Sequence, residues 1–244
     1  EPLAQEGYLM DLPVKPGEYH LVAWCHKRHE NAAGFDLSGG DNPTHFTDHF
    51  KMKMQRAYEG DQAHSTTDLH ALFHGKVSVN LPDTWGTHVV TVPLTKDTNS
   101  IRIQLVHLSG KEIKADDFDF KITDNNGHLA HDNAILDDED IEYRPWSKRE
   151  GVAGTVLPVV VGGRSSVTPI PGSGGSSTAA PTVHSITAEL TTSRLQTSQQ
   201  PMLTVIRKSD NTPVVNINLL DYFLMVKGEY NRPMDDDEYF DRQD

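Results

Sequence analysis

Short runs in which apolar and polar residues alternate are the dominant hydrophobic pattern of this chain. A period of two is typical of strands that bury one face, and Pro, Gly, Asn or Asp bounds each run. In one of them, Ile101, Ile103 and Leu105 share a face while the polar residues between them occupy the other, as in an antiparallel sandwich. Seven runs have this form, at residues 17–25, 75–82, 87–94, 99–108, 117–123, 184–195 and 202–208.

Helical periodicity is scarce by comparison. Residues 46–58 are ambiguous between helix and strand, and residues 218–230 predict either a short buried helix or a strand. In the C-terminal tail, Glu238 follows Asp235 by three residues, a spacing that resembles a helix-capping box. The sequence therefore predicts an all-β protein with few short helices.

The length and one biased segment suggest how the chain is divided. The 244 residues suffice for one large or two ordinary domains. In residues 164–182, fourteen of nineteen residues are Ser, Thr, Pro or Gly, which predicts a flexible loop. We place the boundary inside residues 93–100 instead, giving domains 1–95 and 96–244, because residues 96–163 alone hold too few strands to close a sandwich. The loop 164–182 is the competing boundary.

The net charge, the hydrophobicity and the single cysteine of the chain each limit what the protein can bind or form. A formal net charge of -13 repels nucleic acid phosphates and anionic lipid surfaces, so we expect no nucleic acid partner. No apolar run is long enough to span a membrane as a helix. The single cysteine, Cys25, closes an apolar run and is interpreted as a small buried hydrophobic residue.

The stretch FDFKITDNNGHLAHDN, residues 118–133, holds six acidic or amide side chains and two histidines in sixteen positions. A calcium loop that begins at Asp124 would need a glycine at its sixth position and a glutamate at its twelfth, but Ile135 occupies the twelfth. The stretch is therefore interpreted as a hairpin turning at Asn125-Asn126-Gly127, with a bound metal as the alternative. The acidic residues 135–143 are interpreted as a solvated face that protects a sheet edge.

Catalytic and metal-binding patterns are weak throughout the sequence. The thirteen histidines include no HExxH motif and no accompanying cysteine pair, and we interpret them as surface or loop residues. There is no GxSxG elbow and no glycine-rich phosphate loop. We therefore expect no enzyme, no cofactor, and no catalytic, cofactor-binding or metal-ligating residue. The closest histidine spacings are His26 with His29, His45 with His49, and His70 with His74.

The three tryptophans, Trp24, Trp85 and Trp146, are interpreted as core or domain-junction anchors. The alternative is that they form an aromatic platform on which sugar rings stack.

Several motifs in order give a more specific signal than any of them alone. They closely resemble the fimbrillin-associated (minor fimbria) anchor protein family of Bacteroides-type fimbriae, over nearly the whole chain apart from the Ser/Gly tract and residues 26–64. The motifs are LPVKPGEYHLVAW (12–24), DLHALFHG (68–75), TVPLTKDTNSIRIQL (91–105), DDFDFKITDNNG (116–127), ILDDEDIEYRPW (135–146), AELTTSRL (188–195) and DYFLMVKGEYNRPMDDDEYFDRQD (221–244).

The resemblance implies two tandem transthyretin-like antiparallel β-sandwich domains. It also implies a lipoprotein of the cell outer membrane that fixes a fimbria to the cell and limits its length. The lipid would be carried by an N-terminal cysteine absent from this chain, upstream of Glu1 together with the first strands, and the final strands are expected after Asp244. Cys25 cannot replace that cysteine, because no signal-peptide apolar region precedes it. The family contributes no catalytic or ligand-binding residues.

Two hypotheses for function follow. The first is a structural anchor that binds fimbrial subunits by strand addition, in which an extended segment of one chain completes a sheet of the other. Its candidate receiving edges are residues 75–82, 87–94 and 202–208. The second is a cell-surface adhesin or carbohydrate-binding sandwich that uses Trp85 or Trp146 with the acidic loops.

Overall fold

The computed structural model describes residues 9–26, 34–39, 49–107, 109–153 and 183–226. The predicted flexible loop 164–182 and the capping box at Asp235 lie outside these residues. The strands are β1 (Gly17–His26), β2 (Phe35–Ser38), β3 (Lys51–Met54), β4 (Ala57–Glu59), β5 (Gln62–Ser65), β6 (Leu72–Leu81), β7 (Thr95–Lys96), β8 (Thr98–His107), β9 (Phe118–Asp124), β10 (His128–Ala130), β11 (Ile141–Tyr143), β12 (Ser147–Ala153), β13 (Val183–Ser193), β14 (Met202–Arg207) and β15 (Thr212–Asn218).

Four sheets are built from these strands. The largest has the order β15-β14-β9-β11-β5-β4, and three smaller sheets have the orders β12-β13-β8, β10-β3-β2 and β1-β6-β7. Pairing is antiparallel except between β11 and β5, which run parallel. The prediction of an all-β protein is confirmed.

The main core lies between the six-stranded sheet and the sheet β12-β13-β8. Phe120, Ile122 and Val205 from the first sheet and Ile186 and Leu190 from the second are buried in one apolar cluster. The two sheets therefore pack face to face as a β-sandwich. The predicted inward face of residues 101–105 is confirmed, because its three aliphatic side chains contribute to this cluster. A tandem pair of transthyretin-like domains stays a prediction.

The predicted boundary after residue 95 lies where the chain changes sheets. β7 belongs to the sheet β1-β6-β7, and β8 begins two residues later in the sheet β12-β13-β8. Earlier strands nevertheless reach across this point: β5 pairs with β11, and Met54 and Ala63 lie in the main core. Residues from both sides of the boundary thus share one sheet and one core, and a division into two independent folding units stays a prediction.

Two ambiguous segments are settled by the structure. Residues 51–54 and 57–59 are strands, β3 and β4, so the helical alternative for 46–58 does not hold there. Residues 219–226 form the helix α1, whose start is capped because Asn218 Oδ1 accepts the Leu220 N–H at 2.9 Å. The described residues contain no helix with the length and hydrophobicity that a membrane crossing requires.

Candidate functional site

The stretch 118–133 forms a corner between two sheets, and the predicted hairpin is wrong. β9 pairs with β11 and β14, whereas β10 pairs with β3 in another sheet. Asn125, Asn126 and Gly127 keep ordinary negative φ angles, unlike the central residues of a tight hairpin turn. The turn chemistry was recognised, but the alternation on either side of it could not show that the two strands belong to different sheets.

At this corner, both the nitrogen and the oxygen of the Asn126 side-chain amide form hydrogen bonds. It is fully buried, and its Nδ2 donates to the main-chain oxygens of Arg194 at 2.9 Å and Ser193 at 3.4 Å. Its Oδ1 accepts a hydrogen bond from the hydroxyl of Tyr143, which is also fully buried. Burial and the neighbouring Asp124 carboxylate raise the pKa of Tyr143, so this hydroxyl stays a donor. The amide therefore joins the corner to the end of β13 through its nitrogen and to β11 through its oxygen.

The glycine of the same corner is required by close packing. A Cβ on Gly127 would lie 2.3 Å from Ile141 Cδ1 and 2.7 Å from Arg56 Nη2. The guanidinium of Arg56 is buried, and it pairs with Asp138 at 2.8 Å and Glu139 at 3.1 Å. This pairing lowers the pKa of Asp138 against the opposing effect of burial. The acidic run 135–143 is thus partly engaged in ion pairs and is not simply a solvated face.

A second buried polar group lies where the chain passes from β7 to β8. Asp97 is fully buried, its Oδ1 accepts a hydrogen bond from Asn133 Nδ2 at 2.8 Å, and it lies 3.7 Å from Arg194 Nε. Arg194 also donates to the main-chain oxygen of Asn133 at 2.6 Å. Sequence reasoning missed this cluster, because its three members are far apart in the chain and match no known spacing.

Among the described residues, the histidines share no common site. His74 of β6 lies opposite Trp24 of β1, and their ring centroids are 4.5 Å apart. The Nε2 atom of His74 lies 2.9 Å from the His131 main-chain oxygen. Burial lowers the pKa of His74. His29 and His45 lie outside the described residues. In the part of the chain that is described, no three His, Cys, Asp or Glu side chains are grouped so that they could hold a metal ion.

The tryptophans have three different environments. Trp24 is half-buried and packs against the small core of Met52, Leu72 and Leu129. Trp146 is 41% exposed, and Trp85 is fully exposed. The interpretation as core or junction anchors therefore holds for Trp24 and is wrong for Trp85.

The long antiparallel pair of β1 and β6 carries an apolar face. The register pairs Tyr19 with Val79, Leu21 with Val77 and Ala23 with Gly75. Cys25, which lies beside Phe73 on this face, is half-buried, and burial raises the pKa of its thiol. The larger side chains of this face are also only half-buried. The pair thus presents an apolar surface outside the main core.

One edge of β6 has very little pairing. β7 pairs with it only at Phe73 and His74. The Asp97 N–H donates to Leu72 O at 2.7 Å, so every second residue of β6 from Leu72 directs its main-chain groups to this side. Among the described residues, no strand pairs on that side with Lys76, Ser78 or Asn80.

The other two candidate edges differ from the prediction. Residues 87–94 form no strand, so the strand predicted there is wrong. Residues 202–207 form β14, which has β15 on one side and β9 on the other, and so offers no edge. Of the three segments, only β6 combines a strand with an edge that the described residues leave unpaired.

Comparison with known proteins identifies one family for this chain. The whole chain, residues 1–244, matches the family described as fimbrillin-A associated anchor proteins Mfa1 and Mfa2. No curated protein sequence matches it. Seven chains of solved structures match the fold.

Three of these structures are informative. One is a protein of Bacteroides thetaiotaomicron provisionally described as an adhesin, 28% identical with a TM-score of 0.72, over 96% of this chain and 70% of that one. A second protein of the same species, provisionally described as polysaccharide-binding, is 25% identical with a TM-score of 0.71, over 99% and 72%. The fimbrial anchor protein Mfa2 of Porphyromonas gingivalis is 15% identical with a TM-score of 0.56, over 88% and 64%, which shows likeness of fold alone.

Proposed function

Because this chain belongs to the fimbrillin-A associated anchor proteins, we propose that it is a structural subunit that attaches a bacterial fimbria to the outer membrane, limits its length and contributes to cell adhesion. The match over residues 1–244 is the observation that carries this proposal. The similarity to a protein provisionally described as an adhesin supports a role at the cell surface. A purely structural role without catalysis is part of the proposal.

The proposed contact with the fimbrial subunit is strand addition at β6. An incoming extended segment would pair with the main-chain groups of Lys76, Ser78 and Asn80, which face the sparsely paired side. Its alternate side chains would cover the apolar face that includes Val77 and Val79. Each main-chain hydrogen bond contributes only about 0.5–1.5 kcal/mol net, so a stable junction needs these side chains too.

The substitution Ser78→Pro tests this contact. Proline removes the N–H on the sparsely paired side, whereas the bonds to β1 come from the neighbouring residues of β6. Ser78→Ala is the matched control, because it loses the same hydroxyl, which lies 2.8 Å from His20 Nδ1, but keeps the N–H. Both variants are first checked for folding by circular dichroism and urea unfolding.

Binding is then measured with the fimbrial subunit whose gene shares the operon. We expect Ser78→Pro to weaken binding by at least tenfold and Ser78→Ala to bind like the wild type. Equal binding by the folded Ser78→Pro protein would exclude pairing at this edge. A contact between ordinary surfaces would then replace strand addition.

Membrane attachment and length control have their own tests. We propose that the lipid is carried by an N-terminal cysteine of the full-length precursor. Replacing that cysteine in the full-length precursor should move the protein from the outer-membrane fraction to a soluble one. Deleting the gene should yield longer fimbriae that are released into the medium, as measured by electron microscopy. Normal fimbriae on the deletion strain would contradict the proposal.

The full exposure of Trp85 favours one alternative, a carbohydrate-binding surface protein. An exposed indole offers a flat apolar face on which sugar rings can stack. The similar protein provisionally described as polysaccharide-binding supports the same idea. Binding to a glycan array that is lost in Trp85→Ala and retained in Trp85→Phe would support it, whereas an array without any bound glycan would contradict it.

A further inference from the structure

The segment after β6 returns along the strand that it has just left. β6 ends at Leu81, and the chain pairs with β6 again at Thr95, opposite His74. Residues 82–94 therefore lead from one end of β6 back to the other. If the register of β7 continued, Gly75 would meet Leu94, Lys76 would meet Pro93, and Leu81 would meet residue 88.

The side chains of this segment fit that continued register. Val92 and Val90 would lie opposite Val77 and Val79 on the apolar face, and both are half-buried. Val89 and Thr91 would lie on the polar face, and both are exposed. The alternation that predicts a strand over 87–94 thus has the phase that pairing with β6 requires.

The end of the segment already touches the apolar face. A Cβ on Gly75 would lie 2.5 Å from the main-chain oxygen of Pro93 and 2.7 Å from both Leu94 Cδ2 and Val92 Cγ1. Residues 92–94 therefore cross directly over Gly75. The segment therefore leaves the β6 edge before Thr95 and passes over the apolar face at Gly75.

Pro93 explains why the ladder stops. The Asp97 N–H donates to Leu72 O, so the main-chain groups of residues 95, 93 and 91 would face β6 in the same register. Residue 93 would have to donate to the Lys76 oxygen, and proline has no N–H. The pairing ends at Thr95, two residues after this proline.

We propose that residues 88–94 are a placeholder segment. Their alternation matches the register of the β6 edge, and Pro93 prevents them from forming a hydrogen-bonded ladder along it. Among the described residues, the edge is thereby left unpaired from Lys76 to Leu81, and residues 92–94 cover its apolar face near Gly75. An incoming strand would take the place that these residues match. This last step rests on the proposed strand addition, whereas the fit of the segment to β6 does not.

Pro93→Thr tests the placeholder without any partner. Threonine restores the N–H and suits a strand position on the polar face opposite Lys76. In the wild type, the amides of Lys76, Ser78 and Asn80 should exchange with solvent at least tenfold faster than those of Val77 and Val79, which face β1. In Pro93→Thr, the three edge amides should exchange at least tenfold more slowly, with the other two unchanged.

Two further variants serve as controls. Pro82→Thr makes the same chemical change outside the register and should leave the edge amides as in the wild type. Adding Thr91→Pro to Pro93→Thr should restore fast exchange at Ser78 and Asn80 but not at Lys76, because residue 91 faces Ser78 in this register and proline has no N–H. Unchanged exchange in Pro93→Thr, or slow exchange of the edge amides already in the wild type, would overturn the proposal.

A peptide separates this inference from the proposed function. The probe is a synthetic peptide of residues 87–94 with valine at position 93, flanked by lysines. It should bind the wild type and bind Pro93→Thr at least tenfold more weakly, because the resident segment then occupies the edge. Equal binding to both proteins would overturn the placeholder. Slowed exchange together with unaltered binding of the fimbrial subunit would instead contradict strand addition at β6 and leave the placeholder supported.

Discussion

The side-chain nitrogen of Asn126 lies 2.9 Å from the main-chain oxygen of Arg194, and this hydrogen bond joins the corner after β9 to the end of β13. The same amide accepts from the Tyr143 hydroxyl on β11. Three segments that are distant in sequence therefore meet at one buried side chain. A buried polar group of this kind stabilises the fold only while all its partners are present.

We predict that Asn126→Ala lowers the free energy of unfolding by about 2–4 kcal/mol, because it leaves the buried Tyr143 hydroxyl without its acceptor and the carbonyls of Ser193 and Arg194 without a donor. The measurement is urea unfolding followed by circular dichroism. The double variant Asn126→Ala, Tyr143→Phe should be less destabilised than the sum of the single variants. Strict additivity would show that the two side chains are not coupled.

Gly127→Ala should destabilise the protein by about 1–3 kcal/mol, because the new methyl group would overlap Ile141 Cδ1 and the Arg56 guanidinium. Gly151→Ala is a suitable comparison in β12, where the nearest atom, Ser185 Oγ, is 3.3 Å from the added Cβ. Its unfolding midpoint should shift far less. Equal shifts in the two variants would mean that loss of chain flexibility, and not packing at the corner, sets the effect.

The strands were predictable because burial of one face imposes a period of two on the sequence. Six strands begin and end within three residues of a predicted run: β1, β6, β8, β9, β13 and β14. The partners of these strands were not predictable. The wrong hairpin at Asn126 shows the reason, since a turn sequence specifies the local backbone but not whether the two flanking strands pair.

The segment 87–94 shows a second limit. Its alternation is that of a strand, yet it forms none, because a ladder needs N–H groups as well as side-chain faces, and Pro93 lacks one at a position that would face β6. The presence of proline was visible in the sequence. The side to which its missing N–H would point became known only from the hydrogen bond between Asp97 and Leu72.

Metal removal should leave stability unchanged. The calcium-loop template fails in the sequence, and two carboxylates of the acidic run that follows, Asp138 and Glu139, are paired with Arg56. We expect EDTA to shift the thermal midpoint by no more than the error of the measurement. A clear fall on chelation that calcium reverses would contradict this prediction.

Stability should depend on pH through Asp124. Burial, assisted by the charge of Asp140, raises the pKa of this carboxyl from 3.8 to about 7, although it accepts the Asn125 N–H. Its Oδ2 is buried and has no hydrogen-bond partner among the described residues. Between pH 4 and 7 the folded protein keeps a proton that the unfolded chain releases, so stability falls as the pH rises through this window.

We predict that Asp124→Asn removes this part of the pH dependence. The difference between a pKa of 3.8 and one of about 7 corresponds to roughly 4 kcal/mol, and the buried amide donor of asparagine offsets some of the gain. At pH 8 the variant should therefore be more stable than the wild type by about 2 kcal/mol, and the difference should shrink towards pH 4. Urea unfolding at several pH values measures it, with Asp119→Asn at an exposed position of the same strand as the control. A difference that does not change between pH 4 and 8 would show that the Asp124 carboxyl has the same pKa in the folded and unfolded protein, and that its burial is relieved in solution.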